Sequence, residues 1–476
     1  MKKKASGVIV LLTVVGFLGF GVTACKKAAR PIPPNIVESS DEIKQERLLW
    51  NLKTLVDAYE HGGHTDPAWD DFAKQSLTEF ARIRANQLDP NEAWWDLVAT
   101  NAEAAVKVGC TDPMVKYLFI KFALPQTNKP NTFADAFCQT ALDMQNSSYP
   151  SIRKFYAAAA AVDQMCFTYG TNVGAQSVFA QVLPLMNQNL TPALRDKTMP
   201  PEEALDAAQR ALTLMSGNNA QYLKEYQLVE KPLFDNWPNA SATWLFKGNS
   251  YVDMAWRARG GGYADKVNDQ GWKTFFADLA IAENALTNAW SVNTNDERIA
   301  IQMLRVAEGA QRNRDEMELW FQRAMADDPN CYEACQKKLH YLYPQWYGSR
   351  DDMIAFGHEC VGSTNWGGSV PLILTDAHWE YWLYINDPQE KTNYWRLPDV
   401  WPDIKASYAR FFQLNPQAAG YYKNYAWFAY NCEQWDIFNG LVPKVRAGDY
   451  YYFGGKDEFD KMVQRAREKS GNSKSL

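Results

Sequence analysis

The densest collection of groups able to hold a ligand is the run Trp256-Arg257-Ala258-Arg259, followed by Gly260, Gly261, Gly262 and Tyr263. Guanidinium forks hold carboxylates or phosphates in bidentate fashion, and aromatic faces stack on cations, sugars and other rings. One glycine suffices to cap a helix, and arginines in a last turn complement its dipole. Three glycines exceed that need. The run therefore reads as an open loop presenting Trp256, Arg257, Arg259 and Tyr263 to a carboxylate, phosphate or sugar. Trp346-Tyr347-Gly348 and Trp366-Gly367-Gly368 are aromatic turns of the same kind. Trp346, Tyr347 and Trp366 join the candidate partner-binding residues; sealing helix hairpins is the other use such turns have.

Signatures of catalysis are scarce. The chain has no G-x-S-x-G, no H-E-x-x-H and no P-loop. Gly260-Gly261-Gly262 lacks the spacing and the preceding strand of a dinucleotide site. His61-Gly62-Gly63-His64 brings two imidazoles close, but the glycine pair makes a loop and no cysteine is near in sequence, so no metal site is assigned. His358, Glu359, Cys360 and His378 fall on expected helices. Carboxylates are abundant but none stand out as a pair. No cofactor is expected, and an enzyme ranks behind a binding role.

A different chemistry stands at the N-terminus. Lys2, Lys3 and Lys4 precede an uncharged apolar stretch over residues 7–22, too short to span a bilayer comfortably. The stretch ends in Val22-Thr23-Ala24-Cys25, which resembles the lipobox of bacterial lipoproteins. That resemblance covers the first 25 residues. It implies cleavage before Cys25, so that residues 1–24 are a signal peptide, and a diacylglyceryl group on the Cys25 thiol. Lys26 after the lipid-bearing cysteine favours transfer to the outer membrane of the cell envelope. Residues 25–37 carry three of the prolines and no apolar period, and read as a flexible tether.

Removing the three signal lysines leaves 46 Lys and Arg against 55 Asp and Glu, a net charge of about −9. That balance excludes the basic face of a nucleic-acid binder and excludes electrostatic attachment to a membrane, so the lipid alone would anchor the chain. Mean hydropathy is −0.42, and no second long apolar run occurs.

Export makes disulfides permissible, and seven cysteines remain besides Cys25. The odd count leaves at least one thiol unpaired within the chain. Residues 331–342 read as one helix ended by Pro344; Ser349 and Asp352 cap a second helix running to about Val361. In the antiparallel hairpin centred near Tyr347, position 335 faces about 359. A Cys335–Cys360 disulfide is therefore expected, with reduced core thiols as the alternative.

These residues need a scaffold, and the pattern supplies helix after helix. Leu48, Leu52, Leu55 and Tyr59 recur at helical spacing. Asp89-Pro90-Asn91-Glu92 and Thr111-Asp112-Pro113 are helix starts, and Ala157 to Ala161 form a strong helix centre. Period-2 strands with hairpin turns are scarce, so the fold class is all-α. Residues 216–240, with Gly217, Pro232 and Trp237-Pro238, read as a linker between helical domains at 38–215 and 241–464. Residues 465–476 read as a disordered tail. Phe321, Ala324 and Pro329 have the spacing of the second helix of a tetratricopeptide unit, and 297–330 is one 34-residue unit. Leu286 and Ala289 echo it upstream; Tyr408, Phe411 and Pro416 echo it downstream. The glycine that the first helix of such a unit carries is missing, with Arg305 and Ala426 in its place. The region is thus tetratricopeptide-like: irregular helical-hairpin repeats, an α-solenoid.

Three pieces, Ala255-Trp256-Arg257-Ala258-Arg259-Gly260, residues 318–325 and Pro344-Gln345-Trp346-Tyr347-Gly348-Ser349, are similar to a bacterial domain family of unknown function found in exported proteins. The likeness covers about 241–464 and implies a helical fold without an activity. The expectation that follows is a lipid-anchored envelope protein whose helical repeats bind proteins or peptides, as solenoid grooves do. Capture of a surface glycan on exposed aromatic rings is the alternative, and nucleic acid is not a partner.

Overall fold

The computed structural model describes residues 40–87, 94–124, 130–215 and 219–473. The expected signal peptide, Cys25, the tether and the cap at Asp89 lie outside them. All described residues belong to the second of two compact units, which begins at Val37.

The described residues form helices and no strand. In chain order they are α1 (Ser40–Leu52), α2 (Ala58–Gly62), α3 (Asp70–Arg84), α4 (Trp94–Lys107), α5 (Pro113–Leu118), α6 (Pro130–Gln145) and α7 (Ser151–Tyr169). Next come α8 (Ser177–Ala193), α9 (Pro201–Met215), α10 (Asn219–Asn236), α11 (Ser241–Arg259), α12 (Asp269–Val292), α13 (Glu297–Gly309) and α14 (Arg314–Asp327). The chain closes with α15 (Tyr332–Tyr341), α16 (Arg350–Gly362), α17 (Ile373–Tyr384), α18 (Pro388–Asn393), α19 (Val400–Leu414), α20 (Tyr422–Asn431), α21 (Trp435–Leu441) and α22 (Lys456–Ser473).

Local chemistry sets the helix starts. The Asp112 carboxylate accepts from the backbone N–H groups of Met114 and Val115 at 2.9 and 3.1 Å, with Pro113 as first helical residue. The Ser349 hydroxyl accepts from Asp352 N–H at 3.2 Å and donates to its carboxylate at 2.7 Å. Neighbouring helices pack as hairpins, notably α6 with α7, α11 with α12, α13 with α14 and α16 with α17. Every second helix then touches the next but one: α7, α9, α11, α13, α15, α17 and α19 make a continuous ladder. That is solenoid packing, in which each unit buries its apolar stripe on its neighbours. The 34-residue unit is the hairpin of α13 and α14, with Phe321 and Ala324 buried where the repeat pattern puts them. Gly357 lets α16 approach α17 closely, since a Cβ there would stand 2.7 Å from the Leu374 Cα.

The domain division is corrected. One apolar core runs from Trp50 to Ala377 across the expected boundary. The expected linker is mostly helix α10, packed on α9 and α11. Tyr222, Tyr226, Val229 and Leu233 form a buried stripe on it at helical spacing. Burying such side chains contributes about 1.5–3 kcal/mol each, which outweighs the ~3 kcal/mol that Pro232 costs inside a helix. The expected tail is also corrected up to residue 473. Helix α22 continues through it, because Phe459, Val463 and the fully buried Ala466 carry one apolar stripe past residue 465.

Candidate functional site

Helix α11 ends at Arg259, and Gly260 takes the left-handed conformation (φ 76°) that lets the chain leave it. The Trp256 and Trp346 rings meet edge to face at 5.7 Å, and Trp256 meets Phe275 likewise at 5.2 Å. Into this cluster projects the Arg259 guanidinium, 5.7, 5.7 and 5.3 Å from the ring centres of Trp256, Trp272 and Trp346. Its Nη1 donates to the Gly260 and Gly262 carbonyls at 3.1 and 2.9 Å. Trp256, Arg259 and Trp346 thus hold the glycine loop and the 344–348 turn together, where the sequence suggested an open binding loop. Their forks and faces are used internally. Tyr347 is also structural: its hydroxyl donates to the Glu308 carbonyl at 2.8 Å, its ring lies 4.5 Å from Tyr341, and burial with that neighbour pushes its pKa up to about 12. Tyr263, at the loop's end, stays 72% exposed.

Trp366 leaves the group. It sits beyond the far end of α16 from Trp346, a helix length of roughly 20 Å at 1.5 Å per residue. There it packs edge to face on Phe321 at 5.6 Å, and Gly367 N–H donates to the Pro329 carbonyl. It seals a hairpin. Arg257 leaves too, because two residues along a helix is a turn of about 200°. Its guanidinium lies 4.7 Å from the Tyr222 ring centre, on the wall of a different cavity.

That cavity, about 340 Å³, is lined by α9, α10, α11 and α13, including Gln209, Tyr222, Asp253, Arg257, Gln302 and Arg305. A second of about 580 Å³ adjoins it, sharing Gln209 and Thr213, and is walled by Arg84, Tyr117, Lys121, Tyr156, Asp206 and Arg210. Together they make a groove along the helix ladder. Five cationic side chains and two carboxylates line it, in a chain whose formal charge is −6. Arg305 donates to Asp253 at 3.0 Å; Arg210 reaches the exposed Asp163 at 2.7 Å; Lys121 has no ion-pair partner among the described residues. Sequence reasoning singled out Arg257 alone. Arg305 carried a usable signal, since it occupies the position where the repeat pattern expects glycine.

Behind the groove lies a buried ionic network. The Glu203 carboxylate, wholly buried, accepts from Arg47 Nε at 2.9 Å, Arg84 Nη2 at 2.7 Å and Asn51 Nδ2 at 2.9 Å. Arg47 and Arg84 also reach Asp206 at 2.6 and 3.4 Å. Arg153, buried from end to end, donates to Asn51 and Thr54 at 2.6 and 2.5 Å. Burial pushes Arg153 down to about 10. Burial pushes Glu203 the other way, yet the charges of Arg84, Arg47 and Arg153 overcome it and hold the carboxyl at about 2. Three cations thus face two carboxylates here, and the surplus positive charge backs the groove.

Cys335 and Cys360 stand as free, buried thiols in this structure, the alternative to the expected bridge. The hairpin geometry does bring the two buried thiols near one another, with Met325 Sδ 3.7 Å from Cys335 Sγ. Burial pushes the Cys360 thiol far up, and Cys335 beside it adds to the rise. His61 and His64 turn to separate partners, the Asp57 carbonyl and the Thr111 hydroxyl.

No protein-family model matches the chain, and no curated protein does.

Proposed function

We propose that the protein is a lipid-anchored scaffold of the cell envelope that binds protein or peptide segments in the groove along its helix ladder. The observation that carries this is the excess of cationic side chains lining two adjoining cavities of an acidic chain. Amide side chains at Gln209, Asn249 and Gln302 offer both donors and acceptors, which an extended backbone requires. Tyr117, Tyr156 and Tyr222 offer stacking faces. The partner segment is therefore acidic. Glycan capture on tryptophans has less support, because Trp256, Trp346 and Trp366 are engaged edge-on with neighbouring rings. Acylation of Cys25 supplies the attachment, in keeping with the outer membrane.

Two measurements test this. Mass spectrometry of the N-terminal peptide is expected to find a diacylated Cys25 as first residue; an unmodified Cys25 within a longer chain rejects the anchor. Fluorescence anisotropy with acidic and basic decapeptides tests the groove on the detergent-solubilised protein. Reversing Lys121 and Arg210 together to Glu is expected to weaken an acidic peptide ten- to hundredfold, about 1.4 kcal/mol per tenfold. Unchanged affinity, or preference for the basic peptide, removes the groove as the site.

A further inference from the structure

A second cavity, separate from the groove, opens where the Tyr263 loop, the 343–345 turn and the C-terminal end of α17 meet. Its volume is about 230 Å³. That lies below the ~300 Å³ where sites for drug-sized ligands begin, and suits one small group. Four tyrosines line it: Tyr263, Tyr343, Tyr381 and Tyr384. Glu380 stands among them, close enough to the Tyr343 hydroxyl that burial and its carboxylate together raise that group's pKa. No lysine, arginine or histidine of the described residues forms an ion pair with Glu380.

The cations nearby are spent elsewhere. Arg259 is held among the tryptophans and the glycine carbonyls. Arg350, behind Tyr381 and Tyr394, pairs with Asp399 at 2.6 Å. Lys391 donates to the Leu383 carbonyl and lies over Trp382, outside the cleft lining. Helix α17 has no basic residue in its last turn, and its negative dipole end faces this region. One turn back from Glu380, the half-buried Asp376 accepts from the Tyr332 hydroxyl and adds a second acid near the cleft.

An uncompensated carboxylate ringed by tyrosine faces has one good complement. A neutral ligand would strip water from Glu380 and return no charge, whereas a cation gains both the carboxylate and the ring quadrupoles. We infer that this cleft binds an organic cation of the alkylammonium class, with Glu380 as counter-charge and Tyr263, Tyr343, Tyr381 and Tyr384 as its walls. The ligand chemistry is the same whether the ammonium belongs to a free small amine or to a lysine side chain.

Isothermal titration of the full chain with choline, with Nα-acetyl-lysine methylamide and with 3,3-dimethylbutan-1-ol, the neutral isostere of choline, tests the inference. One equivalent of a cation is expected to bind, at least tenfold more tightly than the isostere. Whichever of choline and the lysine derivative binds more tightly identifies the source. Glu380→Gln, with an unchanged circular-dichroism spectrum, is expected to weaken the cation about tenfold. Equal binding of the neutral isostere, indifference to Glu380→Gln, or binding of maltose or N-acetylglucosamine in place of the cations overturns it. Groove variants do not touch this cleft, so its failure and that of the peptide groove are separately visible.

Discussion

Glu203→Ala is expected to lower stability by about 3–5 kcal/mol, measured by urea unfolding at pH 7. The reason is what it leaves behind. The carboxylate is the shared acceptor of Arg47, Arg84 and Asn51, and its charge offsets the fully buried Arg153. Removing one partner of a buried ionic network strands the others without water, and that stranding accounts for the size of the loss. Glu203→Gln keeps the volume and should retain most of the loss, because the missing element is charge. Arg210→Gln, which breaks only the exposed pair with Asp163, should cost no more than about 1 kcal/mol. A loss below about 1 kcal/mol for Glu203→Ala would show that the arginines find water.

Stability is also expected to fall by about 4 kcal/mol between pH 5 and pH 8. Two acids are responsible. Burial raises Asp376 from 3.8 to about 6, aided by the charge of Glu380 and partly offset by the Tyr332 hydrogen bond. Burial and a hydrogen bond with Asp327 raise Glu297 from 4.5 to about 7. Both folded values lie above the unfolded ones. Their stabilising effect is complete below about pH 4, where both states hold the proton, and is lost as pH rises through the folded values. At 1.36 kcal/mol per unit, Glu297 accounts for the larger share of the span and Asp376 for the smaller. Glu203 works in the opposite sense: its stabilisation is present above about pH 4.5 and is lost toward pH 2. Among these three groups the combined stabilisation is greatest near pH 4–5. Asp376→Asn keeps an acceptor for Tyr332 and should flatten the pH 5–8 slope by its share, as Glu297→Gln should by the larger one. Equal slopes in wild type and double variant would refute the assignment.

What the sequence reveals here is mostly what neighbours in the chain decide. The caps at Asp112 and Ser349, the all-α class and the α13–α14 unit depend on residues within a few turns of one another, and each was legible. The linker was misread because Gly217 and Pro232 weigh heavily in a local pattern, whereas the buried stripe from Tyr222 to Leu233 gains its value only from α9 and α11. The two arginines of Arg257-Ala258-Arg259 looked like one site, yet helical geometry sends them to different surroundings. The groove was illegible for a related reason. Arg84, Lys121, Arg210, Arg257 and Arg305 come from separate elements; Arg257 was marked by its run and Arg305 by its place in the repeat, but nothing along the chain ties either to the other three. Arg259 and Trp346 were correctly drawn together by type, but as the fastening of two loops. The residues those loops display, Tyr263 and Gln345, are the ones facing the open cleft.

The network at Glu203 has a mechanical consequence. Arg47 on α1 grips Glu203 on α9 across 156 residues of chain. A pull on the start of α1 is thus not delivered link by link through α2 to α8; it is shunted directly to the ninth helix. The first third of the solenoid behaves as a closed loop with a latch. Tension entering from its N-terminal end is borne by four helices in parallel, and the groove beside the latch keeps its shape until the latch slips.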